Sequence, residues 1–225
     1  FALYYDLRAA QQVDYLIAIS QTVAKRIKRY YDREAEVIYP PVRVSQFELS
    51  KNTGEYFLII SRLVPYKKVD LAIEAFNQLA IPLVIVGEGR DRQRLEQISK
   101  RNIHFAERVS DEQLKEYYRK CTALIFPGEE DFGIVPIEAN ASGKPVIAYA
   151  AGGTLETVVD GITGTFFYKR TPQALIEAIR NFNASGYDPT RIREHAMKFD
   201  IEVFKRRIKK FVVEKWEKHK TKMKF

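Results

Sequence analysis

Short apolar runs alternate with helical patterns along most of the chain. Runs near residues 56–61, 82–86, 102–106, 122–126, 145–149 and 164–167 read as strands. Between and after them, 68–79, 90–99, 110–119, 134–142, a short segment from 154, and 172–183 read as helices. This alternation predicts an α/β fold, a doubly wound parallel sheet of Rossmann-like type, whose ligands bind beyond the carboxyl ends of the strands.

The two ends follow other patterns. Val13 to Ser20 reads as a buried strand and Gln21 to Tyr31 as a basic helix, followed by Glu36-Val37-Ile38-Tyr39 and a Pro40-Pro41 break. After residue 200, Ile201, Phe204, Ile208, Phe211, Val212 and Trp216 recur at three- and four-residue spacing. They predict an amphipathic helix that packs this stripe on the domain and keeps a basic face in solvent. The expected organisation is therefore a leading segment, 1–45, a Rossmann-like α/β domain, 46–200, and a basic helix, 201–225.

The 225 residues, 46% of them hydrophobic, suffice for a buried core. No run approaches the roughly 20 apolar residues of a membrane span, and no secretion signal opens the chain. The single cysteine, Cys121, lies against an apolar strand and reads as a buried thiol suited to a reducing cytoplasm. His104, His195 and His219 lie outside every motif, so no metal site is expected. The net charge of +8 is concentrated after Ile201, where ten Lys and Arg from Lys205 to Lys224 face only Glu202, Glu214 and Glu217. Aromatics are not interleaved with these cations beyond the apolar stripe, which argues against nucleic acid. Peripheral contact with an anionic membrane surface stays open as a second use of the basic face.

The densest chemistry lies at 127–146. Glu130 follows the strand ending at Phe126, and Glu138 stands eight positions later, two residues after Pro136, a spacing that suits the first turn of a helix. Two carboxylates staggered in this way can serve one polyhydroxylated ligand. Between them, Phe132, Gly133, Ile134 and Val135 would present backbone N–H groups at a helix N-terminus, where phosphate or electron-rich oxygens are favoured. Arg62 and Lys67, at a strand end and the following helix start, offer a planar fork and a point charge suited to a diphosphate. Glu129 reads as a solvated loop acid, Asp131 is left without a role, and Gly87 and Gly89 read as a strand-to-helix turn.

Five stretches occur in a recognisable order. They are Ser61-Arg62-Leu63-Val64-Pro65-Tyr66-Lys67, Val86-Gly87-Glu88-Gly89, Val109-Ser110-Asp111-Glu112, Glu130-Asp131-Phe132-Gly133 with Glu138-Ala139, and Gly152-Gly153-Thr154-Leu155-Glu156 with Asp160-Gly161-Ile162-Thr163-Gly164. Together they resemble the donor-binding, C-terminal half of retaining glycosyltransferases of the GT-B fold, family 4, over nearly the whole chain. The resemblance implies that Arg62 and Lys67 hold the diphosphate of a nucleotide sugar and neutralise the departing nucleotide without a metal or other cofactor. Lys68, beside them, stands where glycine is common in the family. Glu138 would accept the ribose hydroxyls, and Glu130 would orient a hydroxyl of the transferred sugar. Gly133, Ile134 and Val135 would give N–H groups to sugar and phosphate oxygens, and the base would lie near Arg108 and Val109. Gly152 and Gly153 would permit close backbone approach, with Thr154 capping the next helix.

The implied reaction retains the anomeric configuration, with the leaving phosphate helping to deprotonate the acceptor. Members described as mannosyltransferases are the most similar, which favours GDP-mannose over UDP- or ADP-sugars. Residues 1–45 compare with the segment that closes the acceptor domain of related enzymes, and the chain opens at Phe1 without methionine. It is therefore expected to be a C-terminal portion that binds donor better than it transfers, a glycan or lipid-linked acceptor being held by the missing N-terminal domain. The expected location is the cytoplasm, with peripheral contact at the inner membrane face. The alternatives are a related GT-B phosphorylase, which would need pyridoxal phosphate, a nucleotide-sugar epimerase, or a non-enzymatic basic module for membrane or nucleic acid.

Overall fold

The computed structural model describes residues 2–52, 54–106 and 108–223. At its centre lies a parallel sheet of β3 (Tyr56–Ile60), β4 (Leu83–Val86), β5 (Ile103–Phe105), β6 (Cys121–Phe126), β7 (Val146–Tyr149) and β8 (Gly164–Phe167). The strand order is β5-β4-β3-β6-β7-β8. The chain builds outward from β3 to β5, returns past β3, and builds outward again from β6 to β8. The order thus reverses between β3 and β6, the position at which doubly wound sheets open a ligand crevice. The connecting helices are α3 (Val69–Leu79), α4 (Arg92–Ile98), α5 (Asp111–Lys120), α6 (Ile134–Ala141) and α7 (Thr154–Thr157), with α8 (Pro172–Asn181) after β8. Every element expected between residues 56 and 183 forms, with bounds shifted by no more than two residues.

Successive strand residues point to opposite faces, and here both faces are covered. Leu58, Leu124 and Val146 join Tyr118 and Ile137 in one core, while Ile59, Ile125 and Ile147 join Phe76 and Leu175 in the other. Burial on both sides is why the strands read as unbroken apolar runs rather than as alternation. Polar caps set where helices begin. Ser110 and Gln113 form a capping box on α5, and Thr171 ahead of Pro172 caps α8.

The leading segment contains α1 (Ala2–Gln12), β1 (Ile17–Ala18), α2 (Gln21–Tyr31) and β2 (Glu36–Val37). The strand expected over Val13 to Ser20 shrinks to β1, paired in parallel only with the equally short β2. Val13, Ile17 and Ile19 are exposed, because no sheet face covers them among the described residues. After α9 (Pro189–Ala196) the chain enters α10 (Ile201–Met223). Val42 N–H donates to the Phe199 carbonyl at 2.9 Å and Ile201 N–H to the Val42 carbonyl at 3.1 Å, pinning the start of α10 to the linker.

From there α10 leans on the leading segment. Phe211 meets Tyr15 edge-on at 6.4 Å, and Arg207 donates to the Val37 carbonyl at 2.9 Å. The expected apolar stripe is corrected at its far end, since Val212 and Trp216 are 55% and 53% exposed. They lie about 100° and 140° around the helix from Phe211, beyond the side that touches the protein.

Arg193 on α9 joins three segments, donating to the carbonyls of Phe47, Ala141 and Val44. Arg193→Ala would leave these acceptors without their charged partner and is expected to lower stability by about 2–3 kcal/mol, measured by urea denaturation.

Candidate functional site

A cleft of about 640 Å³ opens at the carboxyl ends of β3, β4 and β6. Its floor and sides carry Arg62 and Lys67 after β3, Gly87 and Glu88 after β4, and Glu130 to Val135 from the loop after β6 into the first turn of α6. Val109 and Leu114 close one end, and Ile19 and Pro40 of the leading segment form part of the wall.

The cations are presented by a single tight turn. Pro65–Lys67 forms a 3-10 turn, and Lys68 then takes a left-handed backbone conformation (φ 56°) to start α3. A side chain in that conformation costs roughly 1 kcal/mol, a cost that glycine would not incur. Lys67, not Lys68, lines the cleft. Its ammonium is ion-paired with Glu130, both side chains being a quarter exposed or less. Burial pushes the Lys67 ammonium below its ordinary value. Arg62 is exposed, and its guanidinium has no protein partner among the described residues.

Gly133 caps α6 with φ +92°, and a Cβ there would find its nearest neighbours no closer than 3.5 Å. The demand for glycine is thus set by the left-handed backbone rather than by crowding within the protein. Ile134 and Val135 occupy the first turn, where no earlier carbonyl of the helix can accept their N–H groups, and Pro136 has none to offer. Glu138 is corrected in position: α6 begins at Ile134, so Glu138 lies in the second turn rather than the first. It stands one turn beyond the cleft-lining part of α6 and accepts a 2.6 Å hydrogen bond from the Tyr118 hydroxyl. Burial raises the Glu138 pKa, with Asp111 adding to the shift and the Tyr118 bond opposing it.

Gly152 and Gly153 sit behind the 130–133 loop, outside the cleft. Gly153 N–H donates to the Glu130 carbonyl at 2.7 Å, and a Cβ on Gly153 would come within 2.3 Å of Phe132 Cα. Their close approach is to protein backbone. Thr154 does not cap α7; it is buried, and its hydroxyl shares its one proton between the Tyr149 and Ala151 carbonyls, 2.8 Å from each. Arg108 is exposed off the wall that Val109 forms.

Several residues join the site without a role expected from the sequence. Asp131 lines the cleft and forms an ion pair with Arg26 of α2. Ile19 and Pro40 are single residues far away in the chain, and only the Pro40-Pro41 break marks either. Among the described residues, no group of three or more His, Cys, Asp and Glu side chains could hold a metal ion.

The sequence profile of the family described as Glycosyl transferases group 1 matches residues 43–199, and the chain belongs to that family. An uncharacterized glycosyltransferase of Methanocaldococcus jannaschii is 32% identical over 183 residues, covering 78% of this chain and 51% of the relative. The human alpha-1,3/1,6-mannosyltransferase is 30% identical over 183 residues, covering 66% of this chain and 44% of the relative. The chain spans about half the length of these curated relatives. The Anabaena protein HepE, solved in complex with UDP-glucose, superposes with a TM-score of 0.82 at 22% identity, covering 94% of this chain and 67% of that one. The fold is thus the Rossmann-like, parallel-sheet α/β domain of GT-B glycosyltransferases.

Proposed function

We propose that this chain forms the donor-binding part of a retaining, metal-independent glycosyltransferase of family 4. The enzyme moves a hexosyl group, mannosyl by preference, from a nucleotide sugar to a glycan or lipid-linked acceptor. The observation that carries this reading is the convergence of Arg62, Lys67 and the first turn of α6 on one cleft at the strand-order reversal. Residues 46–200 act as the donor domain, with 1–45 belonging to the acceptor side and 201–225 to the basic helix.

In this reading Arg62 and Lys67 take the diphosphate, and the N–H groups of Gly133, Ile134 and Val135 take sugar and phosphate oxygens. Glu130 orients a sugar hydroxyl, Glu138 holds the ribose diol, and the base rests against Val109. Glu130 is already ion-paired with Lys67, which makes it a poor free nucleophile for a double displacement. Attack from the same face fits better. The acceptor hydroxyl bonds to the anomeric carbon, the bond from that carbon to the phosphate oxygen breaks, and the proton passes to the leaving phosphate. GDP-mannose is favoured by the mannosyltransferase relative, while the UDP-glucose complex of HepE keeps UDP-sugars in view.

Isothermal titration with GDP, UDP, ADP and their sugar nucleotides, in EDTA and then with magnesium, tests the reading. Selective binding of one nucleotide series, unchanged by magnesium, is expected. Equal and salt-sensitive binding of any polyanion would overturn it.

No described helix is long and apolar enough to cross a membrane. Peripheral contact at the cytoplasmic membrane face is assigned to the outer side of α10. There Val212, Val213 and Trp216 are exposed, with Lys205, Arg206 and Lys209 on the same side. Trp216 is the only tryptophan of the chain, so its emission reports on this face. Vesicles rich in phosphatidylserine are expected to shift that emission to the blue at low salt, and neutral vesicles to leave it unchanged.

A further inference from the structure

Glu156 lies on α7, outside the cleft, yet its carboxylate gathers bonds from both stretches of the leading segment that wall it. Gln21 N–H and Thr22 N–H donate to it at 2.7 and 3.0 Å, and the Thr22 hydroxyl at 3.2 Å. These are first-turn groups of α2, where N–H donors lack carbonyl partners and a negative charge is favoured. The Tyr39 hydroxyl donates to the same carboxylate at 3.2 Å. Burial, with the Glu156 charge beside it, pushes the Tyr39 hydroxyl above its ordinary value, so it remains a donor throughout the neutral range.

Each bond sits next to a cleft residue. Ile19 comes two residues before Gln21, and Pro40 follows Tyr39; both line the cleft. The Tyr39 ring also stacks on Phe132 of the site loop, with centroids 5.5 Å apart and planes 19° from parallel. One carboxylate therefore holds two wall residues through their chain neighbours and reaches the Phe132-Gly133 loop through one aromatic ring.

We infer that Glu156 is a positioning residue that seats Ile19, Pro40 and the Phe132-Gly133 loop around the sugar end of the donor cleft. The inference rests on the donor-site reading above. It distinguishes the two ends of the ligand. Arg62 and Lys67, which hold the diphosphate, make no hydrogen bond or ion pair with Glu156, whereas the sugar needs the wall and loop in register.

The test pairs hydrogen exchange with titration calorimetry on the whole 225-residue chain. Glu156→Gln halves the number of carboxylate acceptors at nearly the same shape. In the free protein it is expected to speed amide exchange over 18–24 and over 128–135 together, leaving 83–105 unchanged. The variant is expected to lose about 10-fold in affinity for the sugar nucleotide while keeping the nucleoside diphosphate within about twofold, because misplaced contacts cost only the part of the ligand they serve. Tyr39→Phe cuts one bond and keeps the stack; it should give the same sugar-selective loss at about threefold and decides the matter should Glu156→Gln unfold. Faster exchange at 18–24 alone, or an equal loss for both ligands, would overturn the inference. Failure of the unaltered chain to bind any nucleoside diphosphate would instead remove the donor-site reading, and the exchange pattern of the free protein would then decide the seating role by itself.

Discussion

Lys67→Ala is expected to weaken binding of the preferred nucleoside diphosphate by about 10- to 100-fold and to leave binding of the parent nucleoside unchanged. Charge-assisted bonds to a phosphate contribute about 1.5–3 kcal/mol each, and Lys67 is positioned by the turn at Pro65 rather than by a flexible loop. Its removal also leaves the Glu130 carboxylate, about three-quarters buried and no longer paired, facing the incoming anion. The loss should therefore exceed that of Arg62→Ala, whose side chain is exposed and can be partly replaced by water and salt; about 3- to 10-fold is expected there. The direction with pH follows from burial. Because the Lys67 pKa is lowered, its charge is lost at a lower pH than that of an ordinary lysine, and diphosphate affinity should fall early on the alkaline side. Calorimetry of the three proteins from neutral pH upward checks both statements; equal affinity of Lys67→Ala and the unaltered chain would remove Lys67 from the site.

The central sheet was legible because its strands are buried on both faces, so their apolar runs need no neighbour information to be recognised. The cleft was legible for a related reason: in a doubly wound sheet the residues after strand ends share one edge, and Arg62, Lys67 and Glu130 all follow strands. What failed depends on contacts between distant segments. Val13 to Ser20 has the composition of a strand, but pairing partners decide how much of it forms. Val212 and Trp216 continue an apolar period whose packing surface ends at Phe211 and Tyr15, and periodicity alone carries no record of where a surface stops. Glu156 finds its partners more than 100 residues away, on backbone groups that have no signature in residue type. Gly152 and Gly153 approach the backbone of the loop that would hold a ligand, and residue type alone does not distinguish that from approach to the ligand itself.

Glu138→Gln is expected to separate binding from stability. As a carboxylate, Glu138 has two acceptor oxygens for a vicinal diol, and the amide keeps only one, so donor affinity should fall about 10- to 100-fold at pH 7. Stability should move the other way or stay level. Burial raises the folded pKa above the ordinary 4.5, so in the window between these two values the folded chain binds more protons than the unfolded one. This group's contribution to stability is therefore fully present below 4.5 and is lost as pH rises through the raised folded pKa; at pH 7 the buried charge is a net cost. Glutamine removes that cost, and its carbonyl can still accept the 2.6 Å bond from Tyr118. The same shift predicts that donor affinity of the unaltered protein begins to fall on acidification at a higher pH than an ordinary glutamate would give, and that this limb disappears in Glu138→Gln. Urea denaturation at pH 7 and calorimetry across the acidic range measure the two effects. A variant that is less stable and binds donor normally would make Glu138 a packing partner of Tyr118, leaving the ribose to another residue.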